Sequence, residues 1–287
     1  MKKRNISLLH VSILACLFIL AFSTYSAASQ KDGLLKIYFL NVGQGDSMLI
    51  EGPNGNQVLI DGGPGNSVLS ELAEVIPFYD KEIDAVIVSH YHADHITGLI
   101  EVLDRYNVHT VIESDGVYDS PVFQSWRKRV EDEEAKRVDA LKGVQIDLGN
   151  GVLLQILAPI EPWEGREIKD AHEASVVARL VYKDFEVMFP GDTEERLEKK
   201  LIDQGINLES DVLKVGHQGS NTSSSPEFLS TVRPKIGVIE VGKDNKYNHP
   251  SEKILSRLEQ FGIKYYRTDI DGRIAVISDG HSFFVNH

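Results

Sequence analysis

The heptapeptide Ser89-His90-Tyr91-His92-Ala93-Asp94-His95 directly follows the apolar run Ala85-Val86-Ile87-Val88. Few folds have a use for three imidazoles and a carboxylate in one strand-to-helix turn. His90 and His92 lie two residues apart, so an extended or tightly turning backbone aims both rings at one point. Asp94 and His95 open the next turn and aim at a second. That spacing predicts two adjacent metal sites. Imidazole nitrogen and carboxylate oxygen suit zinc or manganese, and a close pair of such ions is a known device for activating water. A solvated polar loop would be built from Gly, Asn or Ser and needs no histidines at fixed offsets.

The first residues read as an export signal rather than as part of a fold. Lys2-Lys3-Arg4 is a basic start, Leu8 to Phe22 is an apolar stretch, and Ser26-Ala27-Ala28 places small residues where a signal peptidase cuts. Cleavage is expected after Ala28, giving a signal peptide over 1–28 and a hydrolase domain over 29–287. The mature protein would be secreted or periplasmic, with no stable membrane association. An uncleaved anchor is the alternative, but the apolar run falls short of the roughly 20 residues that cross a bilayer. A lipoprotein is a third reading, since Ile13-Leu14-Ala15-Cys16 loosely resembles a lipobox; the apolar Leu17 to Phe22 argues against it.

Cleavage would remove Cys16, the only cysteine, so metals must be held by His and carboxylate alone. It would also remove three of the 30 basic residues and none of the 43 acidic ones, leaving a net charge near −16. Such a charge discourages nonspecific adhesion to nucleic acid. A phosphate-bearing substrate has to be drawn in by metals and local cations.

Beyond the signal, short apolar strands alternate with amphipathic helices, without repeats or an obvious linker, so one domain is expected. Leu34 to Leu40, Ser47 to Glu51 and Gln57 to Ile60 read as a meander, the last two joined by a hairpin over Gly52-Pro53-Asn54-Gly55-Asn56. Val68 to Ile76 and Ile96 to Tyr106 read as helices around the buried strand Ala85 to Ser89. Ser120-Pro121 opens a charged helix predicted to run to about Leu141. Strands follow at Val152 to Leu157, Val176 to Tyr182, Phe185 to Phe189, Val212 to Val215 and Ile236 to Val241. A helix from Pro250 and strands at Ile274 to Ser278 and Ser282 to Val285 close the chain. This alternation is compatible with two sheets packed face to face, with helices outside.

Further candidates sit at strand ends, where loop-borne chemistry collects. Asp61, before Gly62-Gly63, is expected to accept the second ring N–H of a ligating histidine and fix its tautomer; otherwise it is a turn aspartate. Asp192, in Pro190-Gly191-Asp192-Thr193, is expected to bridge the two metals; otherwise it caps the helix that follows. His217, leaving Val212-Leu213-Lys214-Val215-Gly216, is a candidate ligand.

Several motifs recur in order: Phe39-Leu40-Asn41-Val42-Gly43-Gln44-Gly45-Asp46-Ser47, Leu59-Ile60-Asp61-Gly62-Gly63, Leu213-Lys214-Val215-Gly216-His217-Gln218-Gly219-Ser220, and Val241-Gly242-Lys243-Asp244-Asn245-Lys246-Tyr247-Asn248-His249-Pro250. With the histidine loop, they make the chain from Leu34 onward resemble the metallo-β-lactamase superfamily. The branch resembled is that of the ComEC competence proteins and their secreted stand-alone relatives. The resemblance implies an α/β fold, a four-layer αββα sandwich with the metals at one edge of the sheets. It implies that His90 and His92 bind the first metal, that Asp94 and His95 bind the second, that Asp192 bridges and that His217 completes the second site. His172, just before a strand, would complete the first.

The chain departs from the pattern at Asn41, where the branch usually has Asp, and at Gln218, where a second His is common. His92 stands where competence channels often carry Asp, which makes the chain look more like the secreted relatives. The implied chemistry is hydrolysis, with Asp94 and His249 as catalytic candidates. His249 would protonate a leaving group or contact a phosphate, unless it is only a turn histidine. Ser220 and Asn221 offer hydrogen bonds to the same anion. The leading substrate class is a phosphodiester, with a nuclease activity included and small or locally charged substrates preferred. The alternatives are acyl-bond hydrolysis of the lactamase or lactonase type, and a noncatalytic metal-binding module.

Overall fold

In a computed structural model of the 287-residue chain, residues 33–133 and 135–287 are described. The export signal expected over Met1–Ala28 lies outside them. The first part of the described chain supplies β1 (Leu35–Phe39), β2 (Met48–Glu51), β3 (Gln57–Ile60), β4 (Glu82–Ile87), β5 (Asn107–Glu113), β6 (Val117–Tyr118) and β7 (Lys136–Asp139). The rest supplies β8 (Gln145–Gly149), β9 (Val152–Ala158), β10 (Glu167–Ile168), β11 (Val177–Tyr182), β12 (Phe185–Phe189), β13 (Val212–Lys214), β14 (Ile236–Ile239), β15 (Lys264–Arg267), β16 (Ile274–Ser278) and β17 (Phe283–Asn286).

Among the described residues, β6 and β10 form a small parallel pair. The two large sheets run β17-β16-β1-β2-β3-β4-β5-β7 and β15-β14-β13-β12-β11-β9-β8. Strand alternation turns these two sheets into four layers. Ile37, Ile50, Val58, Ala85 and Ile87 of the first sheet meet Leu154, Ile156, Leu180, Val187 and Val238 of the second in the central core. Their alternate neighbours face the other way: Leu49, Leu59 and Val86 pack beneath helices Ser67–Val75, Ala93–Leu103 and Pro121–Asp132. Leu213, Val215 and Ile239 likewise pack beneath helices Glu195–Asp203, Pro226–Val232 and Glu252–Gln260. Each fully buried Leu, Ile or Val contributes about 1.5–3 kcal/mol, so burial on both faces of both sheets stabilises the sandwich. The αββα expectation holds.

The helix predicted from Ser120 to about Leu141 is shorter. Ser120 Oγ caps Phe123 N as expected, but the helix ends at Asp132, and Lys136–Asp139 becomes strand β7 beside β5. The reason is a change of hydrophobic period: Val138 and Ala140 are two apart and both reach the central core. The helix expected at Ile96 begins three residues earlier, at Ala93, so Asp94 and His95 lie in its first turn. Strand β5 was not predicted at all, although Val108, Val111 and Ile112 are its buried apolar residues.

One close approach seats this helix against β3. The Gly62 N–H donates to His95 O at 2.8 Å and the Gly98 N–H to Gly63 O at 3.0 Å. A Cβ at Gly98 would lie 1.8 Å from Gly62 O, so any side chain there pushes the His95-bearing helix off Asp61.

Candidate metal centre

The histidine loop leaves β4 with Tyr91 pointing one way and His90 and His92 the other. Tyr91 is buried in the helical layer, where its hydroxyl donates to Ser114 O and, at 3.3 Å, to Glu113. Glu113 is itself buried, accepts Trp126 Nε1–H at 2.7 Å and pairs with Arg127 at 2.9 Å. Burial raises its carboxyl above the usual range while Arg127 opposes the shift. This anchor, which the sequence reading missed, fixes the loop from behind.

In front, the imidazoles converge. His90 Nε2 lies 3.1 Å from His92 Nδ1, and the His90 and His95 ring centroids are 4.0 Å apart. His172, in the turn Ala171–Ala174, packs at 4.8 Å from His92 and 4.6 Å from His217 by ring centroids. Asp192, at the exit of β12, directs Oδ2 at three of them: 3.3 Å from His95 Nε2, 3.8 Å from His217 Nε2 and 3.9 Å from His90 Nε2.

Three donor sets therefore adjoin: His90, His92 and His172; His90, His95 and Asp192; and His172, Asp192 and His217, each with ligand atoms within 4.8 Å of one another. The buried His95 Nε2, His172 Nε2 and Asp192 Oδ1 have no hydrogen-bond partner. Buried imidazole and carboxylate atoms left without a hydrogen-bond partner are costly unless a cation takes them up, so the residues fit divalent metal binding. Burial, reinforced by His95, holds His90 well below its ordinary pKa and so keeps its lone pair free. Burial also drives His95 down, but Asp192, Asp61 and Asp94 outweigh it and hold His95 well above.

Asp61 lies where the sequence reading expected it. Its Oδ2 accepts from His95 Nδ1 at 2.8 Å, and its Oδ1 accepts the Ser89 N–H at 2.8 Å. Asp94 sits at the rim, 3.8 Å from His95 Nε2, where its Oδ2 accepts from Gln218 Nε2 at 2.8 Å. His217 and Gln218 are both left-handed, at φ 50° and 52°. Two consecutive non-glycine residues there cost about 1–3 kcal/mol each, and the turn spends that strain on aiming one side chain at Asp192 and the next at Asp94.

His92, Asp94, His172, Asp192, His217, Gln218, Tyr247 and His249 line a cleft of about 170 Å³. Ser220 and Asn221 do not. The Ser220 hydroxyl is engaged with Thr222 Oγ1 at 3.0 Å inside its own turn, and Asn221 is exposed. Gln218 and Tyr247 line the cleft instead.

Beneath the cleft lies a charged floor that the sequence reading also missed. Asp46, Lys214 and Glu240 are all fully buried. Lys214 Nζ pairs with Asp46 and lies 3.5 Å from Asp192 Oδ1, while Glu240 accepts the Ser47 N–H at 2.9 Å. Burial, opposed by Lys214, pushes Asp46 up to about 7, and burial with Asp46 nearby pushes Glu240 well up. Asp192 stays well below the ordinary range: burial would raise it, but His95 and Lys214 prevail. Lys214 is thus an internal counter-ion rather than a surface cation for substrate.

Residues 40–242 match the metallo-beta-lactamase superfamily. The chain belongs to that superfamily. Two relatives identify the ComEC-like branch. ComE operon protein 3 of Bacillus subtilis (strain 168) is 30% identical over 295 residues, spanning 95% of this chain and 36% of the relative. Competence protein ComA of Neisseria gonorrhoeae is 30% identical over 262 residues, spanning 91% and 35%. The metallo-β-lactamase chain thus covers about a third of the length of these relatives. The metallo-beta-lactamase fold protein YhfI of Bacillus subtilis superposes with a TM-score of 0.54 at 13% identity, covering 81% of this chain and 95% of that one. Zn(2+)-bound PqqB of Methylobacterium extorquens gives 0.50 at 12% identity, covering 81% and 97%. Both likenesses are of fold.

Proposed function

We propose that this protein is an exported hydrolase that opens phosphodiesters at a site for two divalent cations, zinc or manganese. The observation that carries the reading is the meeting of two donor sets at Asp192, inside a cleft open to substrate. His90, His92 and His172 would hold one cation and His95, His217 and the rim carboxylate Asp94 the other, with Asp192, a member of two of the donor sets, available to both. Bound there, such cations supply Lewis acidity, which brings water's pKa towards neutrality and stabilises charge on the reacting phosphate.

The chain's own groups do the rest. Asp61 holds the His95 proton on Nδ1 and leaves Nε2 facing the cleft. Gln218 orients Asp94 through its amide. Burial lowers the pKa of His249, with Asp192 opposing, so the ring is neutral at pH 7. A neutral ring suits a hydrogen bond to a phosphate oxygen better than proton donation.

Export rests on the pattern of Met1–Ala28, and two relatives carry competence names. Among the described residues, no helix is long and apolar enough to cross a membrane. The net charge of −13, with Lys214 buried, disfavours a long polyanion, so small phosphodiesters are the preferred substrates.

Metal analysis combined with bis-nitrophenyl phosphate, plasmid DNA, nitrocefin and a lactone tests this reading. Two metals per chain with phosphodiester cleavage dominant is the expected result. Efficient nitrocefin or lactone turnover without phosphodiesterase activity moves the enzyme to acyl hydrolysis, and DNA cleavage that falls steeply with salt rejects the small-substrate preference.

A further inference from the structure

Glu194 stands beside two histidines of the metal centre and belongs to none of its donor sets. It is the residue before the helix Glu195–Asp203, where Ser, Thr, Asp or Asn ordinarily spends a short side chain on the first-turn N–H groups. The Glu194 side chain makes no such bond. Its main chain is fixed all the same. The Glu194 carbonyl accepts the Leu197 and Glu198 N–H groups at 2.9 and 3.1 Å, and Glu195 donates its N–H to Thr222 O at 3.0 Å. A long carboxylate side chain on a fixed root is thus not spent on the helix, and it reaches the backs of two imidazoles. Its Oε1 lies 3.7 Å from His217 Nδ1 and 3.9 Å from His172 Nδ1.

Both rings turn their other nitrogen inward. His217 Nε2 is 3.8 Å from Asp192 Oδ2, and His172 Nε2 is buried without a hydrogen-bond partner. The arrangement repeats that of Asp61 and His95, with a carboxylate on the Nδ1 side and Nε2 facing the cleft. The two histidines are not equally supported, however. Asp170 Oδ1 is 3.5 Å from His172 Nδ1 and accepts the His172 main-chain N–H at 3.1 Å, so that ring has a second carboxylate on its own turn. His217 Nδ1 is buried and has no hydrogen-bond partner, and among the described residues Glu194 is the one carboxylate beside it.

We propose that Glu194 is a positioning residue of the metal centre: it accepts the Nδ1–H of His217, shares that of His172 with Asp170, and so sets the grip on the cation that His217 holds. The inference rests on the two-cation reading and adds an order to it. The cation at His217 depends on Glu194, whereas the cation at His172 keeps Asp170 in reserve.

The test is zinc titration of the full chain against a chromophoric chelator, together with the histidine N–H region of the proton spectrum of the zinc-loaded protein. The wild type is expected to bind two zinc ions and to show Nδ1–H signals of both His95 and His217 protected from exchange with water. Glu194→Ala should weaken one zinc ion by about 10- to 100-fold and leave the other in place. The His217 signal should lose its protection, while that of His95, held by Asp61, keeps it. Glu194→Gln retains an oxygen that accepts the N–H and should recover part of the affinity. Asp170→Asn should cost less than Glu194→Ala, because Glu194 still stands beside His172. Unchanged zinc affinity in Glu194→Ala, an equal loss of both ions, or an unaltered His217 signal overturns the positioning role and leaves Glu194 as a charge at a helix N-terminus. Fewer than two zinc ions on the wild type rejects the two-cation reading itself, and the His217 signal still decides whether Glu194 holds that ring.

Discussion

The floor and the rim of the metal cleft are built by opposite means. The floor is made of ionisable groups closed away from solvent: Asp46, Lys214, Glu240, Asp61 and Asp192 are buried and bind one another or the backbone. The rim is partly exposed: Asp94 stands in the first turn of its helix, while Gln218, Tyr247 and His249 are carried by strained or clamped turns. The difference teaches where each error is felt. A floor substitution leaves a buried charge unmatched and is read in stability and metal content, whereas a rim substitution is refilled by water and is read in turnover.

The largest effect should come from the floor. Lys214→Met leaves Asp46 and Asp192 facing each other without a cation and is expected to cost about 3–5 kcal/mol in denaturant unfolding. Adding Asp46→Asn should restore part of that loss, and a double variant no more stable than the single one would contradict the counter-ion role. Next in size is Asp192→Asn. A neutral amide is a poor partner for two cations, so metal content and hydrolysis should fall together, by more than the 10- to 100-fold typical of supporting partners, roughly. Full occupancy with normal turnover would undo the two-metal reading. Asp61→Asn, which loosens the His95 tautomer without removing a ligand, should weaken metal binding by about 10- to 100-fold.

Rim effects should be smaller and of a different kind. His249→Ala is expected to lower turnover about tenfold, the worth of a hydrogen bond to a charged group, with metal content unchanged. Because burial depresses the His249 pKa below its ordinary value, the ratio of wild-type to His249→Gln rates should stay level between about pH 7.5 and pH 8.5. A ratio that shrinks as pH rises would make His249 an acid instead. The smallest effect belongs to His109→Ala: His109 is exposed on β5, away from both regions, and its loss should move stability by no more than about 0.5 kcal/mol.

Legibility followed sequence distance. His90, His92, Asp94 and His95 fall within six residues, so local spacing alone predicted that they share a site. His172, Asp192 and His217 were found at strand ends and through resemblance, and the fold brings all three to the histidine loop. Ser220 was expected to face an anion, but a hydroxyl in a Gly-flanked turn satisfies its own backbone as readily as it faces a ligand, and here it accepts the Thr222 N–H and stands outside the cleft lining. Strand β7 was read as helix because its charges, Lys136, Arg137 and Asp139, suit an exposed helix and an exposed edge strand equally well. The two-residue spacing of Val138 and Ala140 was the signal that distinguishes them.

The sequence by itself determined the layered alternation, the meander at the start and the donor chemistry of the site, because each is written in spacing over a few residues. Tertiary structure alone decided that Asp46 of the first sheet's β1–β2 loop meets Lys214 of β13 and that Ser47 meets Glu240 beyond β14. No local pattern marks a lysine on a strand as a buried counter-ion. Its charge survives there only because two sheets, folded from distant parts of the chain, close over it with carboxylates already in place.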